Sequence, residues 1–155
     1  MEDLRLTSFD EVLTALARRA PGEAPGAGAA LSHCAESIEC SLAGYPKLKP
    51  AFVRATIGRL VKRRFLAAGA MKHDTRAGLP GLPPISGDVP ESTGVAGLKR
   101  AIEAFRRHNG PLMPHPVFGA CSKAEYERLH AMHVADHLRA LAVGPPSRAA
   151  RPATN

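Results

Sequence analysis

Three of the seven histidines, His130, His133 and His137, fall in the stretch from Glu125 to Leu141. A neutral imidazole offers a nitrogen lone pair to borderline metal ions such as zinc. Residues four apart stack on one face of a helix, so His133 and His137 can converge on a single ion. That spacing alone matches many helices, and a satisfied core histidine is the plainer explanation for either residue. A third ligand from a facing helix would turn the pair into a site. Of the remaining histidines, His33 sits well inside a helical pattern, at the edge of an apolar stripe. His108 lies at a helix end beside Arg106 and Arg107 and reads as solvated, while His73 and His115 lie in loops that could border a bundle mouth. By position, His33 is the best third ligand. Three imidazoles leave a coordination position open, as in catalytic rather than closed structural sites. Zn²⁺ or Ni²⁺ suits an all-nitrogen set, although histidine ligation selects weakly among first-row metals. Cys34 adjoins His33 but points roughly 100° around the helix, towards the core.

The elements that must carry these residues are helical. Ser122 with Glu125 three residues later forms a capping box, so the last helix starts near Lys123, and Gly144-Pro145-Pro146 ends it. Leu129, His133, His137 and Leu141 follow at steps of four, with Tyr126 and Ala140 beside them. A second capping box, Ser8-Phe9-Asp10-Glu11, opens a short first helix, which the Pro- and Gly-rich stretch from Pro21 to Gly26 terminates. The second helix is expected over about Ala29 to Leu42, with Leu31, Cys34, Ala35, Ile38 and Leu42 as its stripe. A third, from about Pro50 to Ala68, would turn Phe52, Val53, Ile57, Leu60, Val61 and Phe65 to the core and Arg54, Arg59, Lys62, Arg63 and Arg64 to solvent. Gly69 to Thr93 is irregular, and connections of that length are usually functional or poorly ordered. A fourth long helix follows from about Gly94 to His108, and Pro111 to Cys121 is a loop. Nothing alternates with period two. The expectation is an all-α chain: an antiparallel four-helix bundle with a short N-terminal helix, one domain over 1–143 and a disordered tail over 144–155.

Composition narrows the function classes. No apolar run approaches the ~18 residues of a membrane span, and Met1-Glu2-Asp3-Leu4-Arg5-Leu6 does not read as a leader, so a cytoplasmic protein is expected. Cys34, Cys40 and Cys121 are an odd set without a close C-x-x-C pair and are expected as reduced thiols. A net charge of +7 with a pI near 9.8 admits an anionic partner. Aromatic residues make up only 5% and tryptophan is absent, which argues against a base-stacking surface.

Five blocks carry a family resemblance: His33-Cys34-Ala35-Glu36-Ser37-Ile38-Glu39, Gly44-Tyr45-Pro46, Gly69-Ala70-Met71-Lys72-His73, His115-Pro116-Val117-Phe118-Gly119 and His133-Val134-Ala135-Asp136-His137-Leu138-Arg139. In this order, over about residues 5 to 142, they resemble a bacterial family of unknown function within the DinB-like (YfiT-like) superfamily of metal-dependent hydrolases. The resemblance implies a four-helix bundle holding a divalent metal on one helix-two histidine and a C-terminal H-x-x-x-H pair, here His33, His133 and His137. It also implies that the metal activates either water or a low-molecular-weight thiol cosubstrate. The chain departs from the family at Tyr126, often tryptophan, and at Asp136, often histidine; Asp136 reads as lying on the polar side of the stripe and is not assigned a catalytic role.

Around that centre, His115, His73, His130 and Tyr126 are candidates for the pocket wall or for contacts behind the ligands. Glu36 could orient a histidine or act as a base, although a solvated helix face suits it better. Three readings stand: a metal-dependent hydrolase or thiol transferase acting on a small molecule, a metal-holding but catalytically idle or stress-associated interaction protein, and, last, an anion or nucleic-acid binder using the arginine-rich third helix. A homodimer through bundle helices is compatible with all three.

Overall fold

The computed structural model describes residues 3–143 apart from Pro21, Glu23 and Ser86; the expected tail lies outside them. Among the described residues the chain is all-helical, without strands, and a single antiparallel bridge joins His115 to Gly119. None of its helices is long and apolar enough to cross a membrane.

Local chemistry fixes the helix ends. Helix α1 (Phe9–Arg18) begins where Ser8 accepts from the Glu11 amide and the Glu11 carboxylate accepts from the Ser8 and Thr7 amides. Helix α2 (Ala27–Ala43) and α5 (Glu91–Arg107) each start earlier than the apolar period suggests. In α5 the first turn, Glu91-Ser92-Thr93, is polar and therefore invisible to a hydrophobic pattern. Pro90 supplies the carbonyl that the amides of Thr93 and Gly94 need. Helix α6 (Lys123–Val143) opens on the Ser122–Glu125 box. It is the central element, with Tyr126, His130, Val134, Asp136 and His137 all buried.

The core forms where α2, α5, α6 and α1 meet, through Phe9, Leu31, Ile38, Leu98, Ile102, Phe105 and Tyr126. Helices α2 and α5 approach backbone to backbone. A methyl group added at Gly94 would lie 2.5 Å from the Gly28 carbonyl oxygen, so only glycine permits this spacing.

The third helical segment departs from its expected orientation. It is a continuous right-handed rod made of α3 (Ala51–Val53), a π-helical turn (Arg54–Gly58) and α4 (Arg59–Ala68), resting on α6. Phe52, Ile57 and Leu60, expected in the core, are exposed by 72%, 65% and 59%. The π turn shifts the phase of the residues before it relative to α4, so one continuous 3.6-residue period cannot describe the whole rod; Leu60, inside α4, lies on the outward side of the face that carries Lys62 and Phe65. Lys62, expected at the surface, is buried, donating to the Ala120 carbonyl at 2.9 Å and to Glu125 at 3.0 Å. Glu125 thus caps α6 and ties α4 to it.

The glycine contact gives a sharp expectation. Gly94→Ala should lower unfolding stability by about 1–3 kcal/mol through overpacking. Gly97→Ala, whose added methyl would meet Ala35 at an ordinary 3.9 Å, should be neutral or stabilising by up to about 1 kcal/mol. Urea titration of both variants measures the contrast, and equal effects would contradict the close α2–α5 packing.

Candidate metal centre

Helix α2 contributes His33, α6 contributes His133 and His137, and the loop after α4 contributes His73. One ligand atom from each of these four residues lies within 4.8 Å of all the others. The Nε2 atoms of His133 and His137 are 3.1 Å apart, and the rings of His33 and His73 stand about 5 Å from both. A group of imidazole nitrogens this tight could hold a metal ion. Sequence spacing pointed to His33, His133 and His137; His73, expected at the pocket wall, joins them.

What places His73 is the residue assigned above to the polar side of α6. Asp136 is buried, and its carboxylate accepts from the His73 backbone amide at 3.0 Å and stands 2.7 Å from His73 Nδ1. Arg139 donates to the same carboxylate at 2.8 Å and also to the carbonyls of Met71 and Leu4. The network pins an irregular loop to the central helix. Nδ1 stands beside Asp136 without an aligned hydrogen bond, and His73 Nε2 is likewise a buried nitrogen with no protein partner among the described residues. Metal-ligating histidines commonly have this arrangement, one nitrogen on a carboxylate and the other towards the ion.

Burial disfavours the protonated form of His33, His133 and His137 and leaves each a free lone pair. It lowers His33, with His73 adding to the effect, and pushes His137 down to about 3, helped by His33 and His73. It lowers His133 well below the usual histidine value, with His137, His73 and His33 adding. Neutral imidazole is the ligand form. The donor set therefore fits a divalent ion.

The cluster lies between two cavities. One, of about 550 Å³, is bordered by His33, His137, Arg76 and Leu141. The other, of about 220 Å³, runs from His33, His73 and His133 to Tyr45, His115, Phe118 and Tyr126. Tyr126 is fully buried, and its hydroxyl donates to the Met113 carbonyl at 2.6 Å, anchoring the 111–121 loop. His130 stacks between Tyr126 and Phe9 and borders the smaller cavity. Glu36 borders neither cavity; it is half-buried, and burial and Glu39 raise its carboxyl pKa. Cys34 is a core thiol raised by burial, and Cys34, Cys40 and Cys121 are all free.

The profile of a family described as "Protein of unknown function (DUF1569)" matches residues 1–143. The chain belongs to this family. No curated protein and no solved structure matches the chain. For this DUF1569 member the histidine cluster therefore carries the functional argument on its own geometry.

Neutral buried histidines also make stability depend on pH. An unfolded histidine takes up its proton near 6.5, whereas burial, with a smaller push from His115, holds His130 down at about 3. Between these values the unfolded chain binds more protons, so stability falls as pH drops below about 6.5. His130→Phe should remove one such proton from the balance. Urea unfolding of metal-free protein between pH 6 and 4 should then show a slope shallower by about 1.4 kcal/mol per pH unit. An unchanged slope would mean that His130 is not held neutral.

Proposed function

We propose that His33, His133 and His137, completed by His73, hold one divalent ion, Zn²⁺ or Ni²⁺, and that the protein is a metal-dependent enzyme acting on a small molecule. The observation that carries this reading is the meeting of four imidazoles, His33 and His137 buried and His73 backed by Asp136. Such an ion supplies Lewis acidity, lowering the pKa of a bound water or of a low-molecular-weight thiol. The chain's own residues do the rest. Helices α2 and α6 fix His33, His133 and His137, while Asp136 and Arg139 orient His73 from behind. His73 stands on a loop rather than a helix, which makes it the ligand that an incoming substrate or thiol atom can displace. The cavities on either side offer room for a substrate and a cosubstrate. The reading extends the DinB-like resemblance, with its antiparallel four-helix bundle, to this chain, and hydrolysis or thiol transfer at the metal is the matching chemistry.

One observation favours a second reading. Four imidazoles can fill a tetrahedral zinc site completely, as in structural centres. In that case the protein is a metal-holding, catalytically idle one.

Elemental analysis of protein purified without a metal-binding tag tests both readings. The parent should carry about one equivalent of zinc or nickel, His33→Ala, His133→Ala and His137→Ala essentially none, and Cys34→Ser and Cys121→Ser as much as the parent. Retention by His133→Ala would overturn the site. His73→Ala and Asp136→Asn should keep the metal with affinity weakened about 10- to 100-fold, the usual cost of disturbing such support. Thiol-transfer and hydrolase screens on these two variants and the parent then separate the readings: activity in the parent favours the enzyme, and its absence in all three the idle centre.

A further inference from the structure

The His115 ring is held in one tautomer by its own loop. Its Nδ1 accepts from the backbone amides of both Val117 and Phe118, each at 3.1 Å. A nitrogen that accepts two hydrogen bonds carries no proton, so the neutral ring must bear its proton on Nε2. Burial, with Lys62 adding, lowers the His115 pKa to about 4, which keeps the ring neutral at ordinary pH. The ring is further fixed by stacking on Phe118, with centroids 4.2 Å apart and planes 10° from parallel. Nε2 lies on the ring edge opposite the loop amides, no hydrogen bond engages it among the described residues, and His115 borders the same 220 Å³ cavity as His33, His73 and His133.

Other polar groups at this wall are differently placed. The Tyr45 hydroxyl donates to the Ser37 carbonyl at 3.1 Å and the Tyr126 hydroxyl to Met113. Asp74 accepts from the Arg76 amide. His130 is sandwiched between aromatic rings, and its Nε2 is shut away from solvent with no partner among the described residues, while Ser37 borders the cavity from α2. Among the described residues no lysine or arginine borders the cavity. The nearby Lys62 amine is engaged by Ala120 and Glu125. The remaining wall is largely apolar, including Phe65, Met71, Leu79, Val117 and Leu129. A carboxylate at the His115 end would lose its water with no lysine or arginine beside it to take its charge, at high cost. A neutral carbonyl would lose far less and would find a fixed donor.

We propose that His115 Nε2–H is the hydrogen-bond donor for the bound molecule, and that this cavity takes a small, neutral, largely apolar compound whose carbonyl oxygen sits at His115. The assignment rests on the metal-centre reading for the other end of the molecule, which faces the histidine cluster.

The test uses protein with ¹⁵N-labelled histidine, zinc-loaded and zinc-free, titrated with methyl 3-mercaptopropionate and with 1-pentanethiol. The two thiols have similar length, and only the first carries a carbonyl. In zinc-loaded parent the ester should bind roughly fivefold more tightly, the scale of one neutral hydrogen bond, and should shift the His115 Nε2 resonance. His115→Phe should erase the preference while still binding pentanethiol, and His115→Gln, which keeps a donor, should restore part of it. Before any ligand is added, the spectrum should show Nε2 protonated and Nδ1 bare. Equal binding of both thiols by the parent, no binding of either to protein that retains zinc, a preserved preference in His115→Phe, or an Nδ1–H tautomer would each overturn the assignment. Zinc content is measured separately. If zinc does not bind, the metal reading fails, and the His115 assignment is decided by whether the ester, and not pentanethiol, shifts its Nε2 in the metal-free protein.

Discussion

Four imidazoles cannot all hold protons in one buried space. With ligand nitrogens within 4.8 Å of one another, each added positive charge would face its neighbours at low dielectric and without water. Burial answers this by holding His33, His133 and His137 neutral, with ligand atoms close to a common centre. The rest of the arrangement serves that constraint. Helix α6 is buried on most of its circumference so that His133 and His137 stay dry, and α2 is pressed against α5 closely enough to bring His33 alongside. Among the described residues Asp136 supplies the carboxylate in contact with the group, and its second oxygen is taken by Arg139.

Much of this was legible in the sequence where local chemistry decides structure. The two capping boxes marked the starts of α1 and α6, and the spacing of four between His133 and His137 placed them on one face. His33 was found because it lies on an apolar stripe. His73 was harder to place. It lies in a stretch without periodicity, and its position is fixed by side chains more than sixty residues away, Asp136 and Arg139. The available signal was the acid–arginine pair spaced by three, directly beside His137. Reading Asp136 as solvated hid it.

The α3–α4 rod shows a second kind of limit. Its residues are amphipathic, but the π turn breaks the phase ahead of α4, where Phe52 and Ile57 are exposed, and within α4 Leu60 faces outward and Lys62 inward. A period of 3.6 cannot report an inserted residue. Lys62 is buried because Glu125 and the Ala120 carbonyl satisfy its amine, a long-range pairing that composition does not reveal. It also takes one charge away from the arginine-rich face, weakening the case for an anion-binding surface there.

The central claim is an all-imidazole centre, and X-ray absorption at the zinc edge tests it most directly. Zinc-loaded protein should show nitrogen scatterers at about 2.0–2.1 Å with the outer-shell pattern of histidine rings. No sulfur shell should appear near 2.3 Å, because Cys34 is locked in the core. A sulfur shell, or a spectrum of zinc surrounded by water and carboxylate oxygens alone, would contradict the account.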